Sequence, residues 1–211
     1  MGRHYQNNMQ ITSADFDLSA PDLESCPPST LLEFAFIGRS NVGKSSLLNM
    51  ISGKPGLARV SITPGHTKTI NFFTMNRDWY LVDLPGYGFA QVARENRAKF
   101  NDAVTRYLTD RENLACVFVL IDARHEPQGI DLEFVHWLGD RTTRFALVFT
   151  KTDKVTATEL QTNAGLFREQ MAGWWEDAPE IFTTSAVTRQ GRAELLDHIE
   201  KTLARGMEDE T

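Results

Sequence analysis

The chain has 211 residues, 41% of them hydrophobic and 24% charged, enough for one large domain with a covered core and too few for two of that size. No apolar run reaches the roughly 20 residues of a membrane helix, and Met1–Gln10 is polar with no apolar stretch behind it, which excludes a secretory signal and points to the cytoplasm. The net charge of −6 is uneven: Phe36–Asn113 holds 11 Lys and Arg against 6 Asp and Glu, the remainder 11 against 22, which fits either a phosphate-binding half beside ordinary acidic helices or a basic patch facing nucleic acid.

In chain order, the first thirty residues are acidic and proline-bearing and form an N-terminal extension, 1–30, expected to be partly ordered. A single domain over 31–205 follows, then a frayed tail, 206–211. Leu32–Ile37 is a short apolar run that ends in glycine, and Ser45–Ile51 continues as a helix. Between them, Gly38, Arg39, Ser40, Asn41, Val42, Gly43, Lys44 and Ser45 fit G-x-x-x-x-G-K-[ST], with Ser46 next in the helix. Two glycines let the backbone curl so that successive N–H groups point at phosphate oxygens, and the helix that starts there adds its positive end. Lys44 brings a full charge to the β- and γ-phosphates, and the Ser45 hydroxyl is a hard ligand for Mg²⁺.

Gly53–Lys68 holds glycines, prolines and threonines without periodicity and reads as a loop. It contains Gly65, His66, Thr67 and Lys68, with Thr69 following. Thr67 is the candidate for a further magnesium ligand, engaged only with a nucleoside triphosphate; the alternative is a threonine that opens a strand. His66 is either a catalytic base or a solvent-facing histidine.

Lys68–Met75 and Trp79–Leu84 flank Asn76-Arg77-Asp78, which suggests an antiparallel hairpin. The second of these runs leads into Asp83-Leu84-Pro85-Gly86. A carboxylate at a strand end facing the phosphate loop suits a magnesium site, and the Gly86 N–H is free to meet a γ-phosphate.

Phe100, Ala103, Val104, Tyr107 and Leu108 recur at helical spacing. Cys116–Ile121 and Phe145–Phe149 are continuous apolar runs, as strands covered on both faces are, with a helix at Ile130–Leu138 between them. Cys116 therefore reads as a core thiol, and neither it nor Cys26 belongs to a disulfide or metal pattern. Thr150, Lys151, Thr152 and Asp153 end the Phe145–Phe149 strand on the same sheet edge as the phosphate loop. A carboxylate there can accept from guanine's ring N–H and amine, a donor pair adenine lacks, while the Lys151 stem lies over the base. Thr156-Ala-Thr-Glu159 has capping-box spacing and opens a helix carrying Leu160, Ala164, Phe167 and Met171. After a strand at Ile181–Thr184 come Ser185 and Ala186, where a backbone N–H can reach the guanine carbonyl. A helix striped by Leu195, Leu196, Ile199 and Leu203 closes the chain.

The ordered motifs resemble those of the translation-factor-like GTPases, and three strings narrow the likeness. Phe36-Ile-Gly-Arg-Ser-Asn-Val-Gly-Lys-Ser-Ser-Leu-Leu-Asn49, Thr63-Pro-Gly-His-Thr-Lys-Thr-Ile-Asn-Phe-Phe73 and Leu81-Val-Asp-Leu-Pro-Gly-Tyr-Gly88 are similar to the EngB/YihA family of bacterial GTPases, from about Phe16 to Leu203. His66 and Lys68 depart from the arginine and glutamine commoner in that family. The resemblance implies a Ras-like G domain of the P-loop NTPase α/β class, with a mostly parallel six-stranded sheet, one antiparallel edge strand and helices on both faces. It implies reversible GDP and GTP binding with Mg²⁺ at Ser45 and Thr67, beside the Asp83 read from its place at the strand end, base reading by Asp153, and slow hydrolysis. It also implies a role in large-ribosomal-subunit assembly, with rRNA contact possible, and in normal cell division and septation.

Lys44, Thr67 and Gly86 are the candidates for catalytic contacts. Tyr87 stands where Ras-like enzymes carry a glutamine, and a phenol cannot present an amide's donor and acceptor pair to a water. Asn41 fits either K⁺ binding beside the phosphates or a turn-forming role. The chain is expected to be a monomer, and two readings outside a hydrolysing switch remain: a guanine-nucleotide-dependent binding module for division proteins with negligible hydrolysis, and a small-molecule kinase, which Asp83-Leu-Pro-Gly86 disfavours.

Overall fold

A computed structural model of the protein describes residues 9–58, 69–87, 94–141, 143–175 and 178–208, the side chains of 94–101 and 207–208 excepted. The elements in order are β1 (Ala14–Ala20), β2 (Leu32–Gly38), α1 (Lys44–Ser52), β3 (Ile70–Met75), β4 (Trp79–Asp83), α2 (Arg94–Asp110), β5 (Leu114–Asp122), α3 (Gly129–Gly139), β6 (Phe145–Thr150), α4 (Ala157–Met171), β7 (Glu180–Thr183) and α5 (Arg192–Glu208). The strands form one sheet in the order β1-β3-β4-β2-β5-β6-β7.

Side chains alternate across β2 with the strand period of two. Phe34 and Phe36 face the layer of α1 and α5, packing with Leu47, Leu48, Ile51, Leu195 and Ile199. Ala35 and Ile37 face the other layer, with Tyr107, Val135, Leu138 and Phe167 from α2, α3 and α4. A central strand covered on both faces reads as continuous apolar sequence for this reason. Each fully buried Phe contributes roughly 1.5–3 kcal/mol relative to exposure.

The β3–β4 hairpin forms as expected, with Asn76 and Arg77 both at positive φ (53° and 59°) and Met75 opposite Trp79. The capping box closes too: the Thr156 hydroxyl accepts from Glu159 N at 3.2 Å, and the Glu159 carboxylate accepts from Thr156 N at 2.7 Å.

Two expectations are corrected. The sheet has seven strands among the described residues, not six: β1, inside the expected extension, pairs antiparallel with β3. The strand running against the others is β3, so the antiparallel ladder lies at that edge with β1 outside it. β1 does alternate in sequence, Ala14, Phe16, Leu18 and Ala20 against Asp15, Asp17 and Ser19, a signal obscured by the acidic, proline-bearing composition of the first thirty residues. In the fold Asp15, Phe16 and Asp17 are all exposed, and a bulge lies between Phe16 and Leu18. At the other terminus, α5 continues to Glu208, past the expected start of the tail. Among the described residues, no helix is long and apolar enough to cross a membrane.

Candidate functional site

The parallel strands β2, β4, β5, β6 and β7 all end on one edge of the sheet, and the described candidate residues lie at those strand ends, in the turns after them, in the first turn of α1, or, for Thr69, just before β3. Ligands of open α/β sheets bind at the carboxyl ends of the strands.

After β2 the backbone turns sharply. Val42 N donates to Arg39 O at 3.3 Å, Asn41 adopts a left-handed φ of 62°, and Gly43, immediately before α1, has φ 104°. A side chain on Gly43 would be strained at that φ, which explains glycine there. Leu47 N donates to Gly43 O at 2.9 Å, the start of the α1 ladder. The N–H groups of the first helical turn have no intrahelical partner, so Lys44, Ser45 and Ser46 stand at the positive end of α1.

Asp83 ends β4 almost fully buried, its carboxylate paired with the Lys44 ammonium. Leu84 N donates to Phe36 O at 3.0 Å, which carries the chain past Pro85 toward the phosphate loop. A Cβ on Gly86 would lie 2.6 Å from the Gly38 carbonyl oxygen. Only glycine allows this approach, and it brings the Asp83–Gly86 turn against the Gly38–Ser45 loop. Thr69 lies just before β3, its hydroxyl 3.1 Å from the Asn71 Oδ1 it donates to, and Asn71 stands opposite Asp83 in the ladder. Gly65, His66, Thr67 and Lys68 lie outside the described residues.

At the end of β6, Thr150 donates its hydroxyl to Val42 O at 2.6 Å and to Ile121 O at 3.2 Å. Lys151 follows at φ 60°, its ammonium donating to Asn41 O at 2.5 Å. The base-side turn is thus tied to the phosphate loop at two carbonyls. Thr152 N donates to Thr184 O at 3.2 Å. The Ser185 hydroxyl donates to Asp153 Oδ1 at 2.7 Å, and this hydrogen bond is the leading cause that holds the Asp153 carboxyl below its ordinary range. Ser185 N is itself engaged by Gln190 O at 3.2 Å, so Ala186 N–H is the better candidate for a guanine carbonyl. Between α1 and this loop lies an open cavity of about 450 Å³, lined by Ser46, Asn49, Ala186 and Arg189 among others.

Three partners escape a reading of the residues alone. Asp122 ends β5 and accepts from Lys151 Nζ at 2.7 Å and from Arg124 Nε at 2.9 Å. Burial pushes its carboxyl up, but the hydrogen bonds from Arg124 and Lys151 outweigh that and hold it well below the usual range. Asp131 of α3, fully buried, accepts from the Tyr87 hydroxyl at 2.9 Å and lies 3.1 Å from Arg39 Nε. Burial raises the Asp131 carboxyl, and burial with the Asp131 charge raises the Tyr87 phenol well above its ordinary value. Gln190 holds both Ser185 N and the Thr152 hydroxyl. One signal was available: Ile121-Asp122 closes an apolar strand with a carboxylate, as Val82-Asp83 does.

Residues 33–151 match the family model described as the 50S ribosome-binding GTPase. The probable GTP-binding protein EngB of Christiangramia forsetii is 48% identical over 192 residues, covering 91% of this chain and 97% of that protein. The chain belongs to the EngB family. It is therefore a GTP-binding protein of the P-loop GTPase class. A crystal structure of a probable EngB superposes with a TM-score of 0.63 over 82% of this chain and 99% of that one, at 23% identity. Era in complex with MgGDPNP and part of 16S ribosomal RNA superposes with a TM-score of 0.65 at 20% identity, over 82% of this chain and 56% of Era. At these identities the two structures speak for the fold alone.

Proposed function

We propose that this EngB-family chain is a slowly hydrolysing GTP switch acting in assembly of the large ribosomal subunit, and through it needed for normal cell division and septation. The observation that carries the nucleotide reading is the lacing of the base-side turn to the phosphate loop. Thr150 and Lys151 hold Val42 O and Asn41 O while Asp153 is presented beside them. Residues 31–205 form the nucleotide-binding unit, and the extension 1–30 lends it β1. The protein works in the cytoplasm as a monomer. The family description as ribosome-binding supports the large subunit, and with it a contact to rRNA, as partner.

In this reading the N–H groups of the Gly38–Ser46 turn, Val42 N excepted because Arg39 O holds it, face the phosphates, and Lys44 neutralises the β- and γ-oxygens. Lys44 and Asp83 pair with each other in the structure. Gly86 donates its N–H to the γ-phosphate, and Asp153 accepts from guanine along the Lys151 stem. The hydroxyl of Ser45 and the carboxylate of Asp83 are the hard oxygen donors Mg²⁺ prefers, and a site of few protein oxygens suits an ion that keeps several waters and takes the substrate's phosphates. Ser45, Asp83 and Thr67 would hold it, and bound there it would supply charge neutralisation at the β- and γ-oxygens. A K⁺ role for Asn41 belongs to the same proposal, although its φ of 62° already accounts for an asparagine in that turn.

Hydrolysis is slow because Tyr87 is occupied elsewhere. Its hydroxyl is bound to Asp131, and its ring stacks on Phe134 at 4.3 Å between centroids. The same observation favours the second reading, a guanine-nucleotide-dependent binding module with negligible turnover.

Asp153→Asn tests the base reading. Calorimetry should show the variant losing GDP affinity by about tenfold or more and gaining xanthine nucleotides, since an amide exchanges one acceptor for a donor. Unchanged GDP affinity would remove Asp153 from the base site, and ATP binding without GTP binding by the unaltered chain would overturn the proposal.

A further inference from the structure

We propose that Asp122 is a positioning residue of the nucleotide site, fixing the Lys151 ammonium and through it both the wall of the base cleft and the outer side of the phosphate loop. The inference rests on the reading that Lys151 and Asp153 receive guanine nucleotide.

Strand pairing makes the contact possible. Asp122 stands opposite Thr150 in the β5–β6 ladder, and Ala123 N donates to Thr150 O at 3.1 Å, so the carboxylate is held one residue from Lys151. Asp122 is 5% exposed. Its Oδ1 accepts from Arg124 N at 3.1 Å and Arg124 Nε at 2.9 Å. Its Oδ2 accepts from an Arg124 terminal nitrogen at 2.8 Å and from Lys151 Nζ at 2.7 Å. The fork of Arg124 holds the carboxylate in one plane, and that plane aims the remaining lone pair at Lys151.

The ammonium then donates onward to Asn41 O at 2.5 Å. With both ends of the side chain held, its stem runs along Gly43, where a Cβ would meet Lys151 Cε at 3.6 Å and Cγ at 3.9 Å. A lysine anchored only to a carbonyl would lose this fixed course, because four rotatable bonds let an ammonium find water instead. Without Asp122, moreover, the Lys151 and Arg124 cations would share no counter-ion. The carboxylate therefore sets where the wall of the base cleft lies and keeps the Asn41 turn pinned.

A double-mutant cycle of Asp122→Asn and Lys151→Ala tests this, read by equilibrium affinity and dissociation rate for a fluorescent GDP, with the melting point of the nucleotide-free protein as control. Asp122→Asn alone should weaken GDP by about tenfold, the scale of one lost charge-assisted hydrogen bond, mostly as faster dissociation. In the Lys151→Ala background it should add nothing. Lys151→Met, which keeps the stem's bulk and removes the ammonium, should match Asp122→Asn and serves if that variant does not fold. Losses that add in full, or GDP affinity within twofold of the unaltered chain in Asp122→Asn or in Lys151→Met, would overturn the inference. Failure of the unaltered chain to bind GDP would instead sink the reading on which it rests.

Discussion

Gly86 shows how narrow the tolerances are at a single position. Its Cα stands so near the Gly38 carbonyl that a methyl group would collide with backbone, which cannot swing aside as a side chain can. Gly86→Ala must push the Asp83–Gly86 turn away from the phosphate loop and, under the proposed function, withdraw its N–H from a γ-phosphate. GTP affinity should fall by about tenfold or more relative to GDP, the cost of one charge-assisted hydrogen bond, as equilibrium titration of both nucleotides would show. Equal losses would place Gly86 outside the γ contact.

At this scale the sequence is legible where chemistry is contiguous. Lys44 and Ser45 follow Gly43 directly, and Asp153 sits two residues after Lys151, so each motif carries its own geometry. Asp131 was not legible because its partner is distant, Tyr87 and Asp131 being 44 residues apart, Asp122 because nothing in the sequence ties it to Lys151, 29 residues on, and Gln190 because Ser185 gives no sign that Gln190 O will take its N–H.

Among the elements, β2 combines two demands. Its far end opens the phosphate loop, while its near end holds Glu33, fully buried in a strand that otherwise reads as apolar. That carboxylate accepts from the Tyr107 hydroxyl at 2.6 Å, from Arg111 at 2.5 and 3.0 Å, and from Asn113 Nδ2 at 3.0 Å. Arg111 also donates to Pro27 O at 2.6 Å, tying in the segment between β1 and β2. Removing one partner of a buried pair leaves an uncompensated charge, so Arg111→Ala should lower unfolding free energy by about 3 kcal/mol in denaturant titration. GDP affinity should hold within twofold, because Glu33 lies about 16 Å along the strand from Gly38 at the usual rise per residue. A stability loss under about 1 kcal/mol would mean water reaches the carboxylate. Helices were legible from spacing and capping and the central strands from continuous apolar runs, whereas β1, although Ala14, Phe16, Leu18 and Ala20 alternate with Asp15, Asp17 and Ser19, was obscured by the acidic, proline-bearing composition around it.

For the molecule as a whole, the expectation is a protein that binds tightly and turns over slowly. The Arg39–Asp131–Tyr87 cluster joins the phosphate loop, α3 and the turn after β4, and it holds the phenol hydroxyl on Asp131. Single-turnover assays on the pure chain should give on the order of 10⁻⁴ to 10⁻³ per second, the scale of unassisted Ras-type enzymes. Rates above one per second would contradict it, and equal rates in KCl and NaCl would remove the potassium role of Asn41.

β1 decides how this sheet meets its surroundings. By capping β3 it makes the outermost ladder one whose side chains include Asp15 and Asp17 beside a bulge. A second molecule approaching that rim would have to pair with a strand carrying Asp17 and the Asp15–Lys54 pair, and charges on an edge strand weaken such a ladder. The opposite rim, β7, offers only four residues. Strand-by-strand growth into larger aggregates is thereby disfavoured on both flanks.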